Sequence, residues 1–100
     1  MIKFEWDEAK NQFNILKHGI SFEEAITVFD DEEALIVFDE EHSDEEERFT
    51  ITGFSKKENL LVVCHCYRQN DEVIRIISAR KAVPHDRRNY IKQYEKHWLF

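Results

Sequence analysis

The sequence predicts an α+β fold: an antiparallel sheet of about four strands, packed by two N-terminal helices and one C-terminal helix. Three observations predict it. Residues 7–29 carry apolar side chains at helical spacing behind a capping residue. Four strand-length apolar runs follow between 34 and 80, separated by polar stretches. Pro84 then opens a last segment with helical spacing.

Taken in order, residues 2–5 read as a short strand. Asp7 suits the N-cap of the next helix, and Gly19 is placed to end it. Within that helix Ala9, Phe13 and Leu16 recur on one side and are expected to face the core, with Ile20 extending them. Lys10, Asn14 and Lys17 form a neighbouring stripe, edged by Asp7 and His18. A second helix restarts at "SFEE", where Ser21 and Glu24 have capping-box spacing and Phe22, Ala25, Ile26 and Phe29 supply the apolar side. The strand candidates are 34–39, 48–55, 59–68 and 72–80; the third is apolar on both alternating faces, as a covered central strand should be. "KKE" and "QND" are short and polar, as hairpin turns are. Pro84 can begin the last helix because its missing N–H would find no partner there. Val83, Tyr90, Ile91, Tyr94 and Trp98 fall on one side of that helix, with Arg88, Lys92 and Lys96 opposite.

One hundred residues, 42% hydrophobic and 13% aromatic, suffice for one packed core, read as a single domain over 1–100. Two glycines and one proline argue against a flexible linker. No apolar run approaches the roughly 20 residues that span a bilayer, and no basic-then-apolar leader opens the chain. A cytoplasmic protein with no membrane partner is expected. Cys64 and Cys66 are too close along a strand to bridge one another. A metal site on Cys64, His65 and Cys66 is disfavoured because a regular strand turns His65 away from both sulfurs. No metal or other cofactor is expected, and His65 reads as a core histidine.

The net charge of −7 argues against a nucleic-acid partner until its distribution is considered. Residues 30–47 hold 11 of the 21 acids and no Lys or Arg, so the rest of the chain carries +4. The acidic run reads as a solvated loop or as a docking surface for a basic segment. By itself, the Lys10–Asn14–Lys17 stripe reads as a solvated face or as one wall of a phosphate site.

The acidic run stays open between its readings, and for the stripe four pieces favour the phosphate site: "FEWDEAKNQFNILKHGISFEEA" (4–25), "HSDEEERF" (42–49), "VIRIISARKA" (73–82) and "DRRNY" (86–90). In their order and spacing the chain resembles the BrnT family of bacterial type II toxin–antitoxin ribonucleases. The resemblance implies a RelE-like fold and an enzyme that cleaves RNA and inhibits translation. It also implies a cognate BrnA-like ribbon-helix-helix antitoxin, with operator DNA contacted only through that antitoxin. One departure is the turn in "FSKKENLL", which lacks the glycine expected of this hairpin.

RNA cleavage without metal needs a base for the 2′-hydroxyl, an acid for the leaving 5′-oxygen, and cations for the phosphorane. Arg80, at the end of its strand beside Lys81, is the first choice for the phosphate, with an ion pair to a nearby acid as its alternative. Lys10 and His18 are the other catalytic candidates; an imidazole is the side chain that ordinarily titrates near neutrality. Trp6, Asn14, Lys17, Arg48 and Lys81 are candidate RNA-binding residues, Trp6 by stacking on a base and Asn14 by orienting a sugar or phosphate oxygen. Arg75 lies at opposite parity to Arg80, so the two share a face only if the strand bulges; an ion pair is expected for it. The competing reading is a non-catalytic module that binds a DNA-binding antitoxin and acts only through the complex as a transcriptional co-repressor.

Overall fold

The computed structural model describes residues 2–99, with side chains throughout except at 94 and 96–99. The elements run β1 (Lys3–Glu5), α1 (Glu8–His18), α2 (Phe22–Ala25), a 3₁₀ turn (Ile26–Asp30), β2 (Leu35–Phe38), a second 3₁₀ turn (Glu40–His42), β3 (Phe49–Phe54), β4 (Leu60–Arg68), β5 (Val73–Lys81) and α3 (Pro84–Leu99). The strands form one sheet in the order β1-β5-β4-β3-β2. It has five strands, not four, and it is mixed. β2 to β5 form an antiparallel meander, while β1 lies parallel to β5 with Glu5 beside Arg75. A parallel neighbour requires a crossover, and here most of the chain separates the two strands.

The caps form where the sequence put them. Asp7 accepts the N–H groups of Ala9 and Lys10, and Gly19 closes α1 in the left-handed region at φ +72°. Ser21 accepts the N–H of Glu24 at 3.0 Å. Glu24 is drawn away from a reciprocal box: its carboxylate takes the hydroxyl of Ser55 at 2.6 Å and the amide of Asn59 at 2.9 Å. These bonds pin the β3–β4 turn, in which Glu58 adopts φ +65° where a glycine was expected. The second predicted helix is one short α turn that tightens into 3₁₀ at Ile26.

α1 packs with the face opposite to the one its apolar residues predict. Phe13 and Leu16 are 63% and 86% exposed, and Ala9 is exposed too, whereas Asn11 and Asn14 are buried. The reason is an accounting of backbone groups. β1 pairs only with residues 73–75 of β5, so the outward backbone edge of β5 beyond Arg75 has no strand beside it. Asn14 takes that place, donating to the carbonyls of Ala79 and Ile20, each at 2.8 Å, and accepting the Ala79 N–H at 3.1 Å. Asn11 accepts the Phe22 N–H at 2.8 Å, one of the donors an α-helix start leaves unpaired. Satisfying buried amides outweighs burying one aromatic ring.

The core lies between the sheet and the 20–29 segment, with Ile20, Phe22, Ala25 and Val28 against Ile51, Leu61, Val63, Ile74, Ile76 and Ala79. His65 is fully buried there, edge-on to Phe29 at 5.0 Å and beside Tyr67. Its Nδ1 lies 3.2 Å from the Val63 carbonyl, which can only accept, so Nδ1 carries the proton and Nε2 takes the Tyr67 hydroxyl at 3.3 Å. It is the satisfied core histidine that the sequence indicated. α3 begins at Pro84 and packs near the β3 end of the sheet through Tyr90, whose ring meets Phe54 at 5.4 Å and whose hydroxyl donates to Asp31 at 2.8 Å. Val83 and Ile91, expected on its apolar side, are exposed; Tyr94, Lys96, His97 and Trp98 lie outside the described side chains.

Candidate nucleic-acid site

The pairing of β4 with β5 shifts between Cys64 and His65: Cys64 stands opposite Ser78, and His65 opposite Ile76. Ile77 is therefore the extra residue of a β-bulge, and parity reverses across it. Ala79 returns to the core face while Arg80, like Arg75, faces the other side of the sheet. The bulge brings the two arginines to one face despite their opposite parity. Arg75 is held at the edge by Glu5, 2.7 Å away, as the expected ion pair.

On that face Asp39, His42, Arg48, Thr50, Cys64, Ser78 and Arg80 surround a groove of about 240 Å³, floored by Val62 and Ile77. Each side chain arrives by a separate route. Arg80 is carried by β5 past its bulge, Arg48 stands at the entry to β3, and His42 ends the short 3₁₀ turn after β2. The Asp39 N–H donates to the Arg48 carbonyl at 2.8 Å, closing the loop that carries His42. The His42 Nδ1 lies 2.9 Å from the Asp39 carboxylate. That acceptor places the ring proton on Nδ1 and leaves Nε2 as a free acceptor.

The two groove arginines differ in how they are held. Arg80 donates to Asp86 at 2.7 Å, the ion pair named as its alternative role. Burial alone would raise the Asp86 carboxyl, but hydrogen bonds from Arg80 and the Val83 N–H, with the Arg80 charge, hold it below the usual aspartate value. The pair, with a second Nη1 hydrogen bond to the Lys81 carbonyl at 3.4 Å, fixes the guanidinium at the groove and leaves Nε and Nη2 to face a ligand. Arg48 has a looser contact, 3.7 Å to Glu46, and its Nε is buried without a hydrogen-bond partner. A buried guanidinium N–H without a partner is unfavourable and would be satisfied by an anion. Cys64 also lines the groove, but burial pushes its thiol up to about 11, so it remains a protonated thiol.

The other sequence candidates lie elsewhere. Lys10, Lys17 and His18 are carried by α1, which is bonded through Asn14 to the outward edge of β5, and none of the three lines the groove. Lys81 pairs with Leu61 and shares its side, also away from the groove. Trp6 is half-buried, edge-on to Phe22 at 6.1 Å, with its indole N–H on Glu8. Asn14, expected to orient a sugar or phosphate oxygen, is 4% exposed and its amide is committed to backbone groups, so none is left for RNA. His42 and Asp39 were missed as site residues. The one signal for His42 was its place in "HSDEEERF", the same piece that carries Arg48. Among the described residues no group of three or more His, Cys, Asp or Glu could hold a metal ion, and no helix is long and apolar enough to cross a membrane.

The fold has a solved counterpart. The chain is similar to the crystal structure at 1.1 Å of the Brucella abortus ribonuclease toxin BrnT, with a TM-score of 0.63 and 25% sequence identity over 83% of this chain and 99% of that one. No curated protein sequence matches the chain significantly. Residues 6–86 match the family described as "Ribonuclease toxin, BrnT, of type II toxin-antitoxin system". All the groove residues and Asp86 fall within that span, and the chain belongs to the BrnT family of ribonuclease toxins.

Proposed function

We propose that this chain is a metal-independent endoribonuclease that inhibits translation in the cytoplasm, and that the groove between Arg48 and Arg80 binds the scissile phosphate. The observation that carries the reading is the convergence of two guanidinium groups and one oriented imidazole, with the Arg48 Nε buried and lacking a partner. Two planar forks match phosphate oxygens and stay charged at any working pH, which suits the charge that grows on a phosphorane. His42 takes the proton of the 2′-hydroxyl at Nε2, while the Asp39 carboxylate, 2.9 Å from Nδ1, holds the ring in place. The 2′-oxygen attacks phosphorus, the bond to the 5′-oxygen breaks, and solvent supplies the proton to the departing oxygen. Lys10, Lys17, His18 and Lys81 do not line this groove and have no part at the reacting phosphate in this reading.

The test is cleavage of a mixed RNA substrate by the purified chain in EDTA, with Arg48→Ala, Arg80→Ala and His42→Ala compared by circular dichroism for fold. The expected result is cleavage in EDTA, reduced about 100-fold or more by loss of either arginine, the range for removing one preorganised transition-state donor. Activity that returns only with an added divalent ion overturns metal independence. Equal activity in all three folded variants overturns the site. A folded wild-type chain that cleaves no RNA but binds its antitoxin favours the co-repressor module, the reading to which the net charge of −7 points.

A further inference from the structure

β2 is the end strand of the sheet and among its more apolar edges. Ile36, Val37 and Phe38 are each about half exposed, at 50%, 48% and 44%. Parity fixes the direction of its backbone. Asp39 bonds to Arg48, so Val37 and Leu35 also turn their peptide groups toward β3. The N–H and C=O of Ile36 and Phe38 therefore point away from the sheet, and no strand lies beside them among the described residues. Val37 lies on the groove side of the sheet, and Ile36 and Phe38 on the other, where Phe38 meets Phe49 edge-on at 5.5 Å. An apolar edge without Lys, Pro or a bulge invites a further strand.

Its flanks define that strand's chemistry. Asp30, Asp31, Glu32 and Glu33 precede β2, and Asp39, Glu40 and Glu41 follow it, within an 18-residue stretch that has 11 acids and no Lys or Arg. A second copy of this chain would bring two such stretches together, which like-charge repulsion opposes. A basic segment is attracted to both ends at once. We infer that β2 is the docking strand for the antitoxin, through an extended segment that pairs with Ile36 and Phe38, sets apolar side chains against the exposed edge, and carries Lys or Arg on both flanks. The inference rests on the reading of the chain as a toxin with an antitoxin partner. It also has a consequence for the groove: a strand seated on β2 ends beside Asp39 and His42, at the groove wall, so it is placed to block RNA.

The experiment is amide hydrogen exchange on the full chain, free and in complex with its cognate antitoxin, with binding measured at low and high salt. The amides of Ile36 and Phe38 should exchange freely in the free chain and become protected about tenfold or more in the complex. Ile36→Pro removes an outward N–H without touching the β3 ladder, which edge strands tolerate, and should weaken antitoxin binding about tenfold while RNA cleavage persists. The combined variant Glu32→Gln, Glu40→Gln, Glu41→Gln, which alters no backbone, should bind more weakly and lose most of the salt dependence. A complex in which Ile36 and Phe38 stay unprotected overturns the docking assignment and leaves the toxin reading intact. Absence of any complex with the wild-type chain overturns the partner reading and this inference with it. Protection of β2 in the free chain that grows with concentration puts a second copy on the strand and overturns the antitoxin as occupant.

Discussion

The side-chain amide of Asn14 brackets the peptide of Ala79, donating to its carbonyl at 2.8 Å and accepting its N–H at 3.1 Å. In hydrogen-bonding terms one asparagine serves, four residues beyond the last β1 partner Arg75, an edge that a longer β1 would have covered. The contact lies one residue beyond the Ile77–Ser78 bulge, and so fixes the part of β5 that aims Arg80 into the groove.

Asn14→Ala leaves three buried backbone groups, on Ile20 and Ala79, without this partner, and should destabilise the fold by about 3 kcal/mol. Leu16→Ala, at a site 86% exposed, should change stability by about 0.5 kcal/mol or less. Urea unfolding of the two variants checks the contrast. A larger loss at Leu16 than at Asn14 would mean that α1 packs by its apolar side after all.

Gly53 sits in β3 under close approach from three neighbours. A Cβ there would meet the Ala34 Cβ and Val28 Cγ1 at 3.0 Å and the Asp31 Oδ2 at 3.1 Å. Asp31 cannot easily yield, because the same oxygen accepts the Phe54 N–H and the Tyr90 hydroxyl. Gly53→Ala should cost about 1–3 kcal/mol by overpacking. Gly19→Ala meets open space, and its cost of about 1 kcal/mol comes only from the left-handed backbone. Thermal unfolding of both variants separates steric from backbone strain.

Burial lowers the pKa of His65 below 6.5, outweighing the Val63 hydrogen bond. Above 6.5 the imidazole is neutral in both folded and unfolded chains and contributes no pH dependence. As the pH falls below 6.5 the unfolded chain takes up a proton that the folded chain resists, so stability is lost until the folded pKa is passed. Unfolding free energies at about pH 7.5 and about pH 5 should show this loss, and His65→Gln should show less of it. NMR of the ring at an intermediate pH should find it neutral with the proton on Nδ1.

The raised Cys64 thiol makes a separate prediction at the groove. Iodoacetamide should label it slowly at neutral pH, because the thiolate is the reacting form. Cys64→Ser should retain RNA cleavage within about threefold, since a protonated thiol supplies neither nucleophile nor base. Loss of activity comparable to Arg48→Ala would give this position a part in catalysis that its burial argues against.

The sequence by itself determined the pieces whose causes are local. The Asp7 and Ser21 caps, the left-handed Gly19, the strand at 60–68 and the start of α3 at Pro84 each depend on a few adjacent side chains and backbone groups, and each is where the sequence put it. Family membership was equally legible, because the pieces that carry it are contiguous. The tertiary structure decided what depends on partners far along the chain. β1 joins β5 across some 70 residues, and its shortness leaves an edge that Asn14 must satisfy, which turns α1 over and exposes Phe13 and Leu16. The bulge at Ile77 is a register event between two strands, with no Gly or Pro to announce it, yet it sets Arg80 on the face of Arg48 and His42. Helical spacing predicts which residues share a face; the pairing of buried backbone groups decided which face turned inward.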